Sequence, residues 1–159
     1  MNPVLPISLL CTALALVIAH GERRTIWVSL VVATLVFVGT SSFTPLKGGD
    51  QYAFLGLWLS VILTAASVYL GPKRRDIWAV VCSANAGLWA GLVAAYSGGP
   101  STVLMALPAL ILGIPARLLL KSGLKLPVLI ITSWIIAIGI LVSALSLTPT
   151  PGYRSDHIE

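Results

Sequence analysis

Six apolar stretches, separated only by short turns, constrain this chain more than any other feature of its sequence. Each stretch holds close to the roughly 20 residues that an α-helix needs to cross the hydrocarbon core of a bilayer. A backbone inside hydrocarbon must satisfy its own hydrogen bonds, so such stretches become helices. The predicted spans are 3–19, 26–43, 52–70, 77–97, 102–120 and 126–147.

Composition excludes a water-soluble domain. Only 9% of the residues are charged and 57% are hydrophobic, whereas a soluble domain carries about 25% charged residues. We therefore predict an all-α, polytopic integral membrane protein, with about six transmembrane helices arranged as three hairpins in a single domain, 1–147. Residues 148–159 hold two prolines and a glycine followed by polar residues, and they are predicted to form a flexible tail.

The turns alternate between basic ones and nearly neutral ones, and this alternation predicts orientation. Of the ten Lys and Arg residues, only Lys47 and Arg154 fall on the side opposite the three basic turns. Basic residues collect on the cytoplasmic side of membrane proteins, so both termini are predicted to lie on the non-cytoplasmic side. The net charge of +5 therefore needs no nucleic-acid partner to explain it. The predicted cytoplasmic basic collar consists of Arg23, Arg24, Lys73, Arg74, Arg75, Arg117, Lys121 and Lys125.

Topology alone accounts for this basic collar, but two further interpretations remain open. Basic residues near a membrane surface attract anionic lipid headgroups, by about 1 kcal/mol each. The same charges would also suit an acidic partner. Gly123 and Pro127 predict that the helix carrying Arg117 and Lys121 ends before the next span begins.

The sequence of one basic turn occurs twice in the chain. The R-R-x-I-W pattern of residues 23–27 recurs at 74–78, an offset of 51 residues. A duplicated helical hairpin would produce this match, and parallel repeats of that kind occur in transporters. The alternative is that a basic turn followed by an interfacial tryptophan arose twice independently.

Ionisable side chains are missing from the middle of every predicted span. A charge at the bilayer centre costs at least about 2.5 kcal/mol and usually marks a functional site. We therefore expect neither transport coupled through an intramembrane carboxylate nor an enzyme active site. Cys11 and Cys82 do not have metal-ligand spacing, and His20 and His157 lie outside the spans, so no metal and no cofactor is predicted.

Small residues repeat at every fourth position of the fourth span and form one continuous stripe. In lipid, small residues allow two helix backbones to approach closely. Asn85 lies beside the stripe and should donate a hydrogen bond to another helix, since an unpaired amide in hydrocarbon is costly. The stripe indicates either the central helix of a monomer or a contact with another subunit. Its residues are Ala79, Ser83, Gly87, Gly91 and Ala95.

The fifth span differs from the others because Pro108 and Pro115 interrupt it. Proline removes a backbone donor and kinks a helix, and interrupted helices in transporters often mark a binding site. The two prolines are therefore a candidate solute site. Arg117 lies in the last turn of this span, where its guanidinium can extend to the headgroup level.

Two functions follow from these features. The first is a non-catalytic subunit or scaffold of a homo- or hetero-oligomeric membrane assembly, which acts through helix packing. The second is a small channel or transporter for an uncharged or lipid-like solute. The expected partners are the lipid bilayer, its anionic headgroups, and a second copy or another membrane protein. The short loops favour a plasma membrane, taken here as a bacterial inner membrane.

Overall fold

A computed structural model describes residues 4–42, 49–70, 75–96 and 101–147 of the chain. The predicted all-α fold class is confirmed over these residues, which contain no strand. The predicted tail, 148–159, lies outside them. The helices are α1 (Val4–Ala19), α2 (Arg23–Ser41), α3 (Asp50–Ala66), α4 (Arg75–Tyr96), α5 (Ser101–Ala106), α6 (Gly113–Lys121) and α7 (Leu126–Leu147), with 3-10 turns at Ser67–Tyr69 and Leu107–Leu112.

Helix α1 is the centre of the bundle. It contacts each of the other six helices, and ten of its sixteen residues are buried. Its hydroxyls bond to its own backbone: Ser8 donates to the Val4 carbonyl at 2.7 Å and Thr12 to the Ser8 carbonyl at 2.8 Å. Because both hydroxyls are hydrogen-bonded within the helix, apolar neighbours can surround α1 on most sides without leaving these groups unpaired.

Five helical segments in the described part of the chain are long and apolar enough to cross a membrane. They are Arg23–Ser41, Tyr52–Tyr69, Arg75–Tyr96, Leu104–Lys121 and Leu126–Leu147. The remaining predicted span, 3–19, corresponds to α1, which has only 16 residues and is about 24 Å long at 1.5 Å per residue. The length of α1 is therefore below that of an ordinary membrane crossing, and its enclosure by neighbours distinguishes it from the other five.

The segment that covers the fifth predicted span is not one continuous α-helix. It consists of α5, a 3-10 stretch over Leu107–Leu112, and α6. Pro108 lies at the start of the 3-10 stretch and Pro115 in the first turn of α6. Proline is tolerated in a first turn, where its missing N–H would have no partner in any case, so the chain restarts a helix at each proline.

The small-residue stripe of α4 packs against α2 of the same chain. Ala79 and Ser83 are buried, as are Gly87 and Gly91, and Ala95 is half-buried. A Cβ atom on Gly87 would collide with the Ala33 carbonyl oxygen, and one on Gly91 would lie 2.8 Å from that of Phe37. The stripe therefore makes a contact within one chain, and it gives no support to the interpretation that it meets another subunit.

Helices α2 and α4 run side by side in the same direction. Thr25 near the start of α2 donates a hydrogen bond to Asp76 near the start of α4, at 2.9 Å. Farther along, Thr40 Oγ1 is 3.4 Å from the Gly87 carbonyl oxygen. Thr25 and Asp76 occupy the same place in the two repeated turns, so the matching segments of the sequence lie next to each other in the fold.

Asn85 donates a hydrogen bond across helices, to the hydroxyl of Ser60 on α3 at 2.6 Å. This bond joins α4 to α3, whereas the stripe joins α4 to α2. The Asn85 amide thus has the hydrogen-bond partner that an amide in hydrocarbon requires, and this partner belongs to the same bundle.

Substituting alanine for either glycine of the stripe should destabilise the fold. We expect Gly87→Ala and Gly91→Ala to lower the free energy of unfolding by about 1–3 kcal/mol, since each new methyl overlaps backbone or side-chain atoms of α2. Gly39→Ala is the matched control, because no atom lies within 4 Å of the added Cβ and alanine favours a helix by about 0.5–1 kcal/mol. Unfolding in detergent micelles, followed by circular dichroism, measures the difference. Equal effects at Gly39 and Gly87 would contradict the close packing of α2 on α4.

Candidate functional site

An apolar groove lies along α1. One part of it is a cavity of about 310 Å³, lined by α1, α2, α4 and residues 104–110, with Leu14, Phe37 and Leu107 among the lining residues. A second cavity of about 290 Å³ follows, between α1, α2 and α6. Leu30 and Leu110 line both cavities, so the two adjoin and form one groove. Each is close to the lower end of the volumes of small-molecule sites, about 300–1,000 Å³.

The groove exists because α2 packs mainly on α4 and touches α1 only slightly. On the opposite side, the 3-10 stretch and α6 pack against α1. Four lining side chains are more than half exposed: Val38, Leu104, Ile114 and Leu118. The groove therefore opens sideways, onto the apolar outer surface of the bundle.

Pro108 and Pro115 determine the shape of one wall of the groove without lining it. Pro108 and Pro115 are exposed and do not line either cavity. The lining is formed instead by their neighbours, including Leu107, Gly113 and Ile114. The two prolines thus shape the segment that forms one wall of the groove. Asn85, which bonds to Ser60, is also absent from the lining.

A basic pocket of about 250 Å³ lies at the end of the groove. His20 follows α1, Arg75 begins α4, Arg117 and Lys121 belong to α6, and Lys125 precedes α7. These five side chains line the pocket, and no carboxylate among the described residues does so. The structure therefore brings side chains from three separate turns of the sequence to one place.

Not every residue of the predicted basic collar reaches this pocket. Arg23 and Arg24 are exposed at the start of α2 and do not line it. Lys73 and Arg74 lie outside the described residues. His20 also lines the pocket, and its position beside a basic turn was the one sequence signal for this role.

A glycine-based helix end places Lys121 and Lys125 around the pocket. Gly123 has a φ of +82°, the left-handed conformation that favours glycine. The Leu124 N–H donates to the Leu119 carbonyl at 2.9 Å, and the Gly123 N–H to that of Leu120 at 3.3 Å. These two bonds form a Schellman motif, which ends α6 and lets the chain reverse into α7.

His20 is held in one tautomer. Its Nδ1 is 2.8 Å from the Leu16 carbonyl oxygen, which can only accept, so Nδ1 carries the hydrogen and donates it. The neutral ring therefore has its lone pair on Nε2. Burial lowers the pKa of His20 below its usual value, and the positive charges of Arg75 and Lys125 lower it further, while the bond to Leu16 opposes them.

The pocket also contains an unpaired donor. Arg117 lines both the basic pocket and the adjoining apolar cavity. Its Nη1 atom is buried and has no hydrogen-bond partner among the described residues. Buried donors are nearly always paired, so an unpaired guanidinium nitrogen on a side chain that lines this pocket is unusual.

Comparison with known protein families, with characterised proteins and with solved structures finds no match for this chain.

The ionisation of His20 tests the geometry of the basic pocket. We expect its NMR titration midpoint to lie below 6.5, with His157→Gln introduced so that one histidine signal remains. Since the folded state then binds the proton less readily than the unfolded state, stability should fall as the pH drops below 6.5.

Arg75→Gln should raise this midpoint, because it removes a neighbouring positive charge. Arg24→Gln is the matched control, because Arg24 is exposed and outside the pocket. A midpoint at or above 6.5 in the parent, or equal shifts in the two variants, would contradict this arrangement.

Proposed function

We propose that this chain is a non-catalytic, multi-pass membrane protein that binds a lipid-like solute in the groove along α1 and carries it within the bilayer. The observation that supports this most directly is the groove itself: two adjoining apolar cavities of about 310 and 290 Å³ that open sideways. An apolar solute dissolved in the membrane would enter such an opening without crossing water. The setting we propose is a plasma membrane.

The polar groups of the bundle favour the same solute class. The described acidic side chains of Glu22 and Asp76 lie at or next to helix starts and line neither apolar cavity. The groove therefore offers a cation no compensating charge, and the charged residues that line it, Arg117 and Lys121, lie where it adjoins the basic pocket. A hydrocarbon chain, in contrast, needs only contact surface, which residues such as Leu14, Leu30 and Phe37 supply.

Filling the junction of the two cavities tests this proposal. We expect Leu30→Trp to lower the amount of lipid or apolar probe retained by the purified protein by about tenfold, or about 1.4 kcal/mol, because the larger ring occupies the space. Leu35→Trp is the matched control, since Leu35 is 67% exposed on the same helix and lines neither cavity. Native mass spectrometry counts the retained molecules, and flux of a fluorescent lipid in proteoliposomes follows its movement. Unchanged retention in Leu30→Trp would contradict the proposal.

One observation favours the second candidate, a subunit of a larger membrane assembly. Trp134 lies near the middle of α7 and is 70% exposed. An indole N–H inside hydrocarbon needs an acceptor, and a helix from another subunit would supply one. The small-residue stripe no longer supports this function, since it is occupied by α2.

The subunit function predicts that Trp134→Phe shifts the protein from an oligomer to a monomer, because the ring is kept and only the N–H is lost. Trp27→Phe is the control, as Trp27 is 63% exposed but lies near the start of α2, where an interface supplies water. Native mass spectrometry from a mild detergent reads out the oligomeric state. A parent protein that is already monomeric would exclude a homo-oligomeric role for Trp134.

A further inference from the structure

The basic pocket needs an explanation beyond topology. Positive charges gather on one side of most membrane proteins, and this bias does not require them to line a common cavity. Here Arg75, Arg117, Lys121 and Lys125 surround one cavity of about 250 Å³ together with His20. No carboxylate among the described residues lines it, so those residues do not offset the mutual repulsion of these cations.

The nearest acidic side chains are placed elsewhere. Asp76 accepts the hydrogen bond of Thr25, at the contact between α2 and α4. Glu22 is exposed in the turn before α2. An anion that is not part of the described chain would therefore be the counter-charge of the pocket.

The donors in the pocket suit a phosphate group. The buried Nη1 of Arg117 has no partner among the described residues, and guanidinium groups bind phosphate oxygens through paired hydrogen bonds. Lys121 and Lys125 add ammonium groups at the rim. The carbonyls at the end of α1 do not repel an anion strongly, because His20 and Gly21 already donate to those of Leu16, Val17 and Ile18.

The pocket is also continuous with the apolar groove. Ala19, Arg117 and Lys121 line both the basic pocket and the cavity of about 290 Å³ beside it. A molecule with its anionic group in the pocket would place an attached hydrocarbon chain directly in the groove. A single occupant with a phosphate at one end and an apolar chain at the other therefore matches both parts.

We propose that the basic pocket binds the phosphate group of an anionic phospholipid whose acyl chain lies in the groove along α1. This assignment rests on the proposed function, because it names the class of lipid-like solute that the groove takes. Free phosphate shares the chemistry of the head group, so the two sources must be separated by experiment.

The experiment uses the full chain, stripped of lipid in detergent. Phosphatidylglycerol and diacylglycerol with identical acyl chains are added in equal amounts, and native mass spectrometry measures which is retained. We expect the parent to prefer phosphatidylglycerol by at least about tenfold. Arg117→Gln should remove most of this preference, whereas Arg24→Gln, which changes an exposed arginine outside the pocket, should leave it intact.

Circular dichroism shows whether Arg117→Gln is folded, and Lys125→Gln replaces it if it is not. Equal losses of preference in the pocket variant and in Arg24→Gln would overturn the proposal, since they would indicate only general surface attraction. Competition by inorganic phosphate at the same concentration as the phospholipid would overturn the assignment to a head group and indicate a free anion.

The Leu30→Trp variant separates this proposal from the proposed function. If the parent retains both lipids equally and Leu30→Trp expels both, the groove binds lipid and the head-group assignment is wrong. If Leu30→Trp retains both lipids as the parent does, the proposed function itself fails. A preference for phosphatidylglycerol that is lost in the pocket variant and reduced by Leu30→Trp supports both.

Discussion

Close backbone contact between α2 and α4 is the interaction on which the rest of the structure depends. In hydrocarbon the hydrophobic effect does not drive helices together, so van der Waals contact and hydrogen bonds must do so. Gly87 and Gly91 let α2 lie directly on α4, and Thr25 and Asp76 join the two helices at one end. Because these contacts hold α2 against α4, α2 makes few contacts with α1, and a groove lies between α1 and α2.

Most side-chain hydrogen bonds in the described part of this bundle lie within one helix, and few join two helices. Most hydroxyls donate to a carbonyl one turn earlier in their own helix, as Thr12 and Thr132 do. Bonds between helices are few among the described residues, and Asn85 to Ser60 is the one made by a carboxamide. This division leaves the surfaces of the groove almost free of polar atoms, which suits a solute that brings no hydrogen-bonding requirement along its length.

Hydropathy alone located the helical segments to within a few residues, because a run of apolar residues of the right length has few alternatives in a membrane. The span predicted at 126–147 coincides with α7, and the prolines of the fifth span predicted its break. The stripe on α4 was also recognisable, since alanine, serine and glycine follow one another at every fourth position from Ala79 to Ala95. What the stripe contacts was not recognisable, because a partner helix in the same chain and one in another chain require the same pattern.

The central place of α1 could not be predicted from its residues. Amphipathic contrast identifies the buried face of a helix in water, but a helix in lipid is apolar on all sides. Helix α1 resembles α7 in composition, although α7 is far more exposed. The groove was missed for the same reason. The sequence predicted that Arg75, Arg117 and Lys125 share one side of the membrane, as members of the basic collar. It did not predict that they line one pocket, because three turns that are distant in the sequence each had an independent reason to be basic.

The single tautomer of His20 has a consequence for any anion that enters the basic pocket. With Nδ1 committed to Leu16, the only site left for an incoming proton is Nε2. The positive charges of Arg75 and Lys125 lower the pKa of His20. A bound anion would offset these charges and so raise that pKa. Binding of the anion and protonation of His20 are thus thermodynamically linked. The affinity for the anion should rise as the pH falls and decrease as the pH rises.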